Sequence, residues 1–521
     1  MSAIVTDQFR ILNANNFVES VESDKNSYYV YIGLPNPTLN GFGRESTWNS
    51  AGGTPAPVDN FSYNAHSGDT MMFGKKISSA NIRRIIRRVD WAAGTRYEIY
   101  RDDYSSSNQS PLTKSSSLYR SNYYVMNSDY KVYICIDNGS TGDNLEGNIS
   151  QDEPTFTDLE PSRAGTSGDG YIWKYLYTVS PSDIIKFDST EYITVPNNWS
   201  TSTDAQIRAV RENGNSTANN NQIKHIYIAD AGGAYADGLG QEVKIIGDGE
   251  GATARVDVVA GKIINATVSS GGQGYTYALV DLGPLSSNVP VNKRAKLVPI
   301  IPPSLGHGYD IYKELGTDKV LVYARFDDST KDFPTDTKFA QVGIVKNPTA
   351  AGTASTITET NFSSLQAIKF KSLEGTPDVG EEISQIVGTA PDTNLATGYV
   401  ASYDKETQVL KYFRDRSLNY TSTNDQTDYS GISTTGRIHQ FESSPVAVRG
   451  TNFNGTVDEN FIGISTNPTG TKLINLGTTF VGGLSKSEIN KGSGEIIYID
   501  NRPLVARNER QKEDVKIILE F

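Results

Sequence analysis

Gly168-Asp-Gly-Tyr-Ile-Trp-Lys-Tyr-Leu-Tyr-Thr-Val179 sets Tyr171, Trp173, Tyr175 and Tyr177 at every second position, with Ile172 and Leu176 between them. Side chains along a strand point alternately to opposite faces. The run therefore reads as a strand with large, mostly apolar side chains on both faces, which suits a central strand. The same texture recurs at Tyr28 to Ile32, Tyr123 to Ile136, Lys319 to Phe326 and Glu495 to Ile499, each bounded by Gly, Asn, Asp, Ser or Pro. Tyr and β-branched residues fit pleated, half-buried surfaces. The expected fold is mainly β with minor α: a multidomain, discontinuous body of sandwich- or barrel-like sheets with two small β-rich inserts.

Composition narrows the function classes. The chain has 521 residues, 60 Asp+Glu against 48 Lys+Arg, a net charge of -12, 29 Tyr, 4 His and 1 Cys. At roughly 150 residues per domain this length suggests about three or four domains. A lone Cys135 excludes an internal disulfide framework and reads as a small buried hydrophobe in the strand Val132 to Ile136. Scattered His66, His225, His307 and His439 leave little material for a zinc centre. The acidic balance argues against sequence-independent nucleic-acid binding. No apolar run approaches the roughly 20 residues needed to cross a bilayer, and Met1 to Asp7 lacks the basic head and apolar stretch of a secretory signal.

One amphipathic helix is expected. Ser78 or Ser79 caps it, and Ile82, Ile85, Ile86 and Val89 follow helical spacing, with Arg83, Arg84, Arg87 and Arg88 on the flanks. It reads as a helix on a β core with its charges in water, in preference to a nucleic-acid-binding helix. At the other end, Asn501-Arg-Pro503 is expected to stop the strand that begins at Glu495, because proline cannot continue a central ladder. The segment Val515 to Phe521 alternates as a last strand docked into a sheet.

Two stretches differ in character. Residues 201–300 are Gly-rich and hold a loose repeat, Gly232-Gly-Ala-Tyr235 and Gly271-Gly-Gln-Gly-Tyr275, with a turn at Ala260-Gly261 between two strands. Residues 351–475 have Thr/Ser/Asn-rich edges around strands at 379–383, 398–403 and 408–413 that read as a compact β barrel or meander. The expected organisation is body at 1–200, insert at 201–300, body at 301–350, insert at 351–475 and C-terminal body strands at 476–521.

No motif carries chemistry. Gly247-Asp-Gly-Glu-Gly-Ala lacks the Lys-Ser/Thr pair and helix of a phosphate loop, so it reads as a structural turn. Asp230, Asp237, Asp248 and Glu250 offer a weak calcium reading, since hard cations need several oxygens. Gly306-His-Gly-Tyr309 reads as a structural turn, and no Gly-X-Ser-X-Gly elbow stands in a strand-turn-helix setting. The expectation is a non-enzyme with no catalytic residue, cofactor or metal.

Two segments resemble the baseplate wedge subunits of contractile-tailed phages of the T-even type, in an enlarged form like those of cyanobacterial and marine phages. One is the aromatic run with Gly168, Asp169, Gly170, Tyr171 and Trp173; the other is Ser493 to Leu504, with Glu495, Tyr498, Asn501, Arg502 and Pro503, continuing from Arg510 to Phe521. Weaker matches occur at Ile4 to Arg10, Met71-Met72, Arg87 to Trp91, Gly94 to Tyr97, Tyr133 to Asp137 and Lys338 to Pro348. The resemblance covers residues 1–200, 301–350 and 476–521 and implies a structural part of the virion tail baseplate, assembled in the host cytoplasm. It implies a homodimer contacting other wedge and arm proteins, without nucleic-acid or membrane partners, that takes part in the rearrangement triggering sheath contraction. The many tyrosines are expected at its interfaces. The alternative is a glycan-binding adhesin or tail-spike-like protein that uses the β inserts.

Overall fold

In a computed structural model the aromatic run forms the strand Tyr171–Thr178. The described residues are 6–34, 61–214, 220–327, 337–387, 394–413, 440–444, 446–468, 470–507 and 511–521. Ile4, Val5 and Arg510 of the quoted motifs lie outside them. Tyr171–Thr178 pairs antiparallel with Lys131–Asn138, which pairs with Tyr124–Met126. The aromatic strand therefore stands at the edge of a three-stranded sheet, not at its centre. Its outer edge is met at Ser162, which exchanges two 2.9 Å backbone hydrogen bonds with Trp173. Both faces are nonetheless buried, from Tyr171 to Tyr177 with only Ile172 partly open. Alternation reports the covering of faces and says nothing of what pairs with the edges. The run read as one strand from Tyr123 to Ile136 is two, turned at Asn127 to Tyr130; the Asn127 side chain accepts the amides of Asp129 and Lys131.

The expected helix after Ser78 is a strand. A single 3-10 turn, Ser79–Asn81, leads into Ile82–Arg87, which pairs antiparallel with Tyr192–Val195. Three isoleucines in five residues favour extended backbone, and a spacing of i, i+3, i+4 also places Ile82 and Ile86 on one strand face with Ile85 on the other. The arginines are not a solvated stripe either. Arg84 is 3% exposed, stacked 4.2 Å over the Tyr312 ring and bonded to Asn15 at 2.6 Å. Arg83 pairs with Asp183 at 3.0 Å, and Arg88 with Asp90 and Asp188 at 2.9 Å. Among the described residues the longest helix is instead Asp7–Glu22, which buries Ile11, Ala14, Val18 and Val21. Among the described residues no helix is long and apolar enough to cross a membrane.

The chain divides into two compact units. One comprises Met1–Val18, Arg83–Leu321 and Ile518–Phe521; the other comprises Glu19–Ile82 and Val322–Ile517. The chain crosses from one to the other four times: within the helix Asp7–Glu22, between Ile82 and Arg83, and within the strands Lys319–Phe326 and Glu513–Glu520. Within the first unit, the Gly-rich stretch forms a four-stranded antiparallel sheet whose long hairpin joins Glu250–Val259 to Lys262–Gln273 through the expected Ala260-Gly261 turn. Both turn residues have positive φ, 51° and 77°, the geometry of a tight hairpin. The loose repeat also has a shared structural use. Tyr235 and Tyr275 are both buried, and each phenol oxygen accepts a backbone amide, from Ala295 at 2.8 Å and from Ala252 at 3.2 Å.

The second unit contains a five-stranded sheet in the order Asn361–Ser363, Met71–Ile77, Tyr28–Gly33, Lys338–Lys346, Glu495–Ala506. Its central Tyr31 lies opposite Gly343 on one side and Gly74 on the other. The same unit holds the expected barrel: six strands between Gln366 and Val457 close through pairing of Gln366–Gly375 with Val409–Phe413. The barrel has its own core, including Ile368, Phe370, Ile383, Val400, Leu410 and Val448.

Pro503 does not end its strand, which runs on to Ala506. Glu495–Ala506 is an edge strand, so a missing amide need not break a ladder on both sides. A register shift also absorbs the proline: Gln341 opposes Asn501 and Phe339 opposes Val505, so Arg502, Pro503 and Leu504 bulge away.

Candidate functional site

The first set of signature residues builds a bracket around the start of the aromatic strand. Gly168 and Gly170 adopt φ of 72° and 89°, conformations glycine reaches without a Cβ penalty. They aim Asp169 so that one carboxylate oxygen accepts the Tyr171 amide at 3.0 Å and the other the Gln151 amide at 2.9 Å. Tyr171 is fully buried; its hydroxyl accepts the Tyr97 amide at 2.9 Å and donates to the Asn148 carbonyl at 2.8 Å. Its ring stacks on Trp173 at 5.3 Å, and Tyr97 meets Trp173 edge-on at 5.7 Å. The Asp169 carboxylate and the Tyr171 hydroxyl thus hold loops to the sheet, whereas the buried indole N–H of Trp173 meets no hydrogen-bond acceptor among the described residues.

The second set lies in the other compact unit. Glu495 is exposed and opposes Lys346, and Tyr498 is half-buried opposite Ile344. Buried Asn501 accepts 2.9 Å from Gln341, Arg502 pairs with Asp500 at 2.6 Å, and Pro503 is exposed in the bulge.

The residues weighed for chemistry serve turns and cores. Asp230 accepts the Gly232 amide, Asp237 the Gly261 amide, and Asp248 the amides of Thr276 and Tyr277, while Glu250 bonds Gln273. The Thr276 hydroxyl, then the Thr276 and Tyr277 amides, hold the Asp248 carboxyl at about 2, below the usual range. Among the described residues no group of three or more His, Cys, Asp or Glu is placed to hold a metal ion. The Gly247 loop runs into a strand, as its sequence suggests. His307 is buried, with Nδ1 2.5 Å from Glu314 and its ring edge-on to Tyr100 at 4.9 Å. His225 lies 3.4 Å from Asp137; burial pushes that carboxyl up, but His225 and the Gly139 amide outweigh it and leave it below the usual value. Cys135 is fully buried, and burial pushes its thiol well up, away from reactivity.

One concave feature escaped sequence reading. A cavity of about 530 Å³ in the first unit is floored by Ile11, Ile86, Tyr124 and Leu315, with Arg10, Arg87, Arg120 and Lys319 among its charged lining. Lys319 is already paired with Asp318 and Glu520, at 3.0 and 3.2 Å. Tyr119 lines it too; burial and the nearby Asp7 push its phenol up to about 12. Its residues come from widely separated parts of the chain, and only the Arg83 to Arg88 cluster was visible in sequence.

Comparison with known proteins meets the structure at the aromatic strand. Residues 157–236 match the family described as Bacteriophage T4, Gp8. The chain is also similar to the baseplate wedge protein gp8 of Enterobacteria phage T4, 29% identical over 214 residues, which take in 37% of this chain. That match spans 60% of the length of the T4 protein.

Proposed function

We propose that this protein is a structural wedge component of a contractile-tail baseplate, resident in the virion tail, whose work is contact and movement rather than catalysis. One observation carries the reading. The family match at 157–236 falls on Gly168 to Val179, the segment the fold uses to tie loops to a sheet through Asp169, Tyr171 and Trp173. Such a bracket suits a part that must transmit force without deforming. Rigid-body motion of subunits about their interfaces is an established switching mode, and in this proposal the wedge moves as a body in the rearrangement that triggers sheath contraction. Its partners are a second copy of itself and neighbouring wedge and arm proteins. The segments 201–300 and 351–475 are proposed to widen those contacts.

Electron microscopy of intact tails carrying a labelled copy tests the location, and a label absent from the baseplate defeats the proposal. Mass measurement of the purified chain in solution tests self-association; a strict monomer at high concentration removes the dimer.

A further inference from the structure

The aromatic strand contains a lysine where a charge is costly. Lys174 is 2% exposed, and its polar contacts are two neutral oxygens, the Leu159 carbonyl and Asn213 Oδ1, the latter at 2.9 Å. An isolated ammonium is expensive to bury. Burial draws Lys174 down to about 8, against the pull of Glu160 and Glu314, so an appreciable share is free amine near neutral pH. The amine rests against a carboxamide. That carboxamide's Nδ2 donates to Glu160 Oε1 at 3.0 Å, and Glu160 Oε2 is held by Lys224 at 3.1 Å. An amine, an amide and a carboxylate on the amide nitrogen are thus in line, in a unit whose function uses none of them chemically.

We propose that Lys174 and Asn213 join in a self-formed isopeptide bond. Lys174 Nζ attacks Asn213 Cγ, a new C–N bond forms, and the Cγ–Nδ2 bond breaks. Glu160 takes the proton lost by Nζ and passes it to Nδ2, which leaves as ammonia. The step needs no oxidant or co-reactant: an amine and a primary amide give a secondary amide and ammonia. The Glu160 side chain is 54% exposed, so the leaving nitrogen faces a route to water. The product removes an ionisable group from the core for good and ties the strand Tyr171–Thr178 to the helix Ala205–Gly214, closing a loop of 39 residues. Closing such a loop restricts the unfolded chain as a disulfide does, in a protein whose single cysteine forbids that device.

Intact-mass measurement and peptide mapping of the purified full chain, denatured after incubation at pH 8 to 9, test this. The expected mass falls short of the sequence by one ammonia, with a branched peptide joining the Lys174 and Asn213 segments. Lys174→Met and Asn213→Ala restore the sequence mass, while Glu160→Gln, at an exposed position, slows bond formation. A full sequence mass with Lys174 open to amine-specific acetylation after denaturation overturns the proposal. So does ammonia loss that maps to a succinimide between Asn213 and Gly214, with Lys174 unlinked.

Discussion

Tyr171→Phe isolates what the signature bracket contributes, because it removes one oxygen and leaves the ring. The ring keeps its 5.3 Å stack on Trp173. Two hydrogen bonds are lost: the buried Tyr97 amide loses its acceptor and the Asn148 carbonyl loses a donor. Stranding a buried amide costs about 1–3 kcal/mol, and a lost ordinary hydrogen bond about 0.5–1.5 kcal/mol. The expected loss is therefore about 2–4 kcal/mol. Tyr275→Phe is the internal comparison: it gives up only the 3.2 Å bond from the Ala252 amide and is expected to cost about 1–2 kcal/mol. Urea unfolding followed by tryptophan fluorescence reads the right unit, since three of the four tryptophans, Trp91, Trp173 and Trp199, fall in it. With a slope of about 2–3 kcal/mol/M, Tyr171→Phe lowers the midpoint by about 1 M with the slope unchanged. A shift no larger than that of Tyr275→Phe would refute the claim that Asp169 and the glycines exist to set this hydroxyl.

The other predictions follow from contacts of the same kind. Deleting residues 515–521 removes Phe521, whose ring meets Phe17 at 5.5 Å, and the Glu520–Lys319 pair at 3.2 Å; we expect loss of soluble folded protein, and a truncate with an unchanged melting temperature contradicts this. Gly343→Ala drives a methyl to within 2.4 Å of the Tyr31 ring, and overpacking of this kind costs about 1–3 kcal/mol, read as a fall in the unfolding midpoint of the second unit. Alkaline solution should destabilise the first unit: burial raises the phenols of Tyr100, Tyr123 and Tyr177 well above their ordinary value. The unfolded chain ionises them near pH 10 while the folded chain holds the proton, so the stabilisation is complete below about pH 10 and falls above it by about 1.4 kcal/mol per pH unit for each group. Equal urea midpoints at pH 9 and pH 11 would contradict this.

Strands were more legible than helices, and the reason is local. Tyr171 to Tyr177, Lys262 to Val268 and Gln408 to Phe413 announce themselves by alternation and β-rich composition, and all three are strands. Ile82 to Val89 announced the wrong element, because three isoleucines and four arginines satisfy helical spacing and strand alternation together; neighbours such as Asp183, Asn197 and Tyr312, distant in sequence, decide between them. The helix Asp7–Glu22 was missed although Ile11, Ala14, Val18 and Val21 keep its period: Asn13, Asn15 and Asn16 dilute the propensity signal. Pro503 misled for another reason, since whether a strand is central or at an edge is a property of topology and is not written in the strand. The charged cavity was invisible for the same cause, its arginines being gathered by pairing between distant segments.

The tyrosines are where structure most changes the meaning of composition. Their abundance suggested interfaces, yet many lie in the core of the first unit with hydroxyls turned to backbone carbonyls. Tyr123 donates to Glu314, Tyr124 to Arg87, Tyr133 to Phe156, Tyr171 to Asn148 and Tyr177 to Thr194, all at 2.6 to 2.9 Å. Phe156 and Asn148 lie in stretches without regular secondary structure and Glu314 in a short helix, and their carbonyls lack a sheet ladder to satisfy them. A buried carbonyl left unpaired is costly, and a loop-rich domain has many. A phenylalanine core would bury similar area but leave those groups stranded. Tyrosine supplies the area and the missing donor from one side chain of few rotamers, fixing loop to core at Phe156 and Asn148. A protein proposed to pass on movement without absorbing it needs stiff loops, and a sheet of three strands does not provide them alone. The tyrosines of this core are thus read first as internal fasteners.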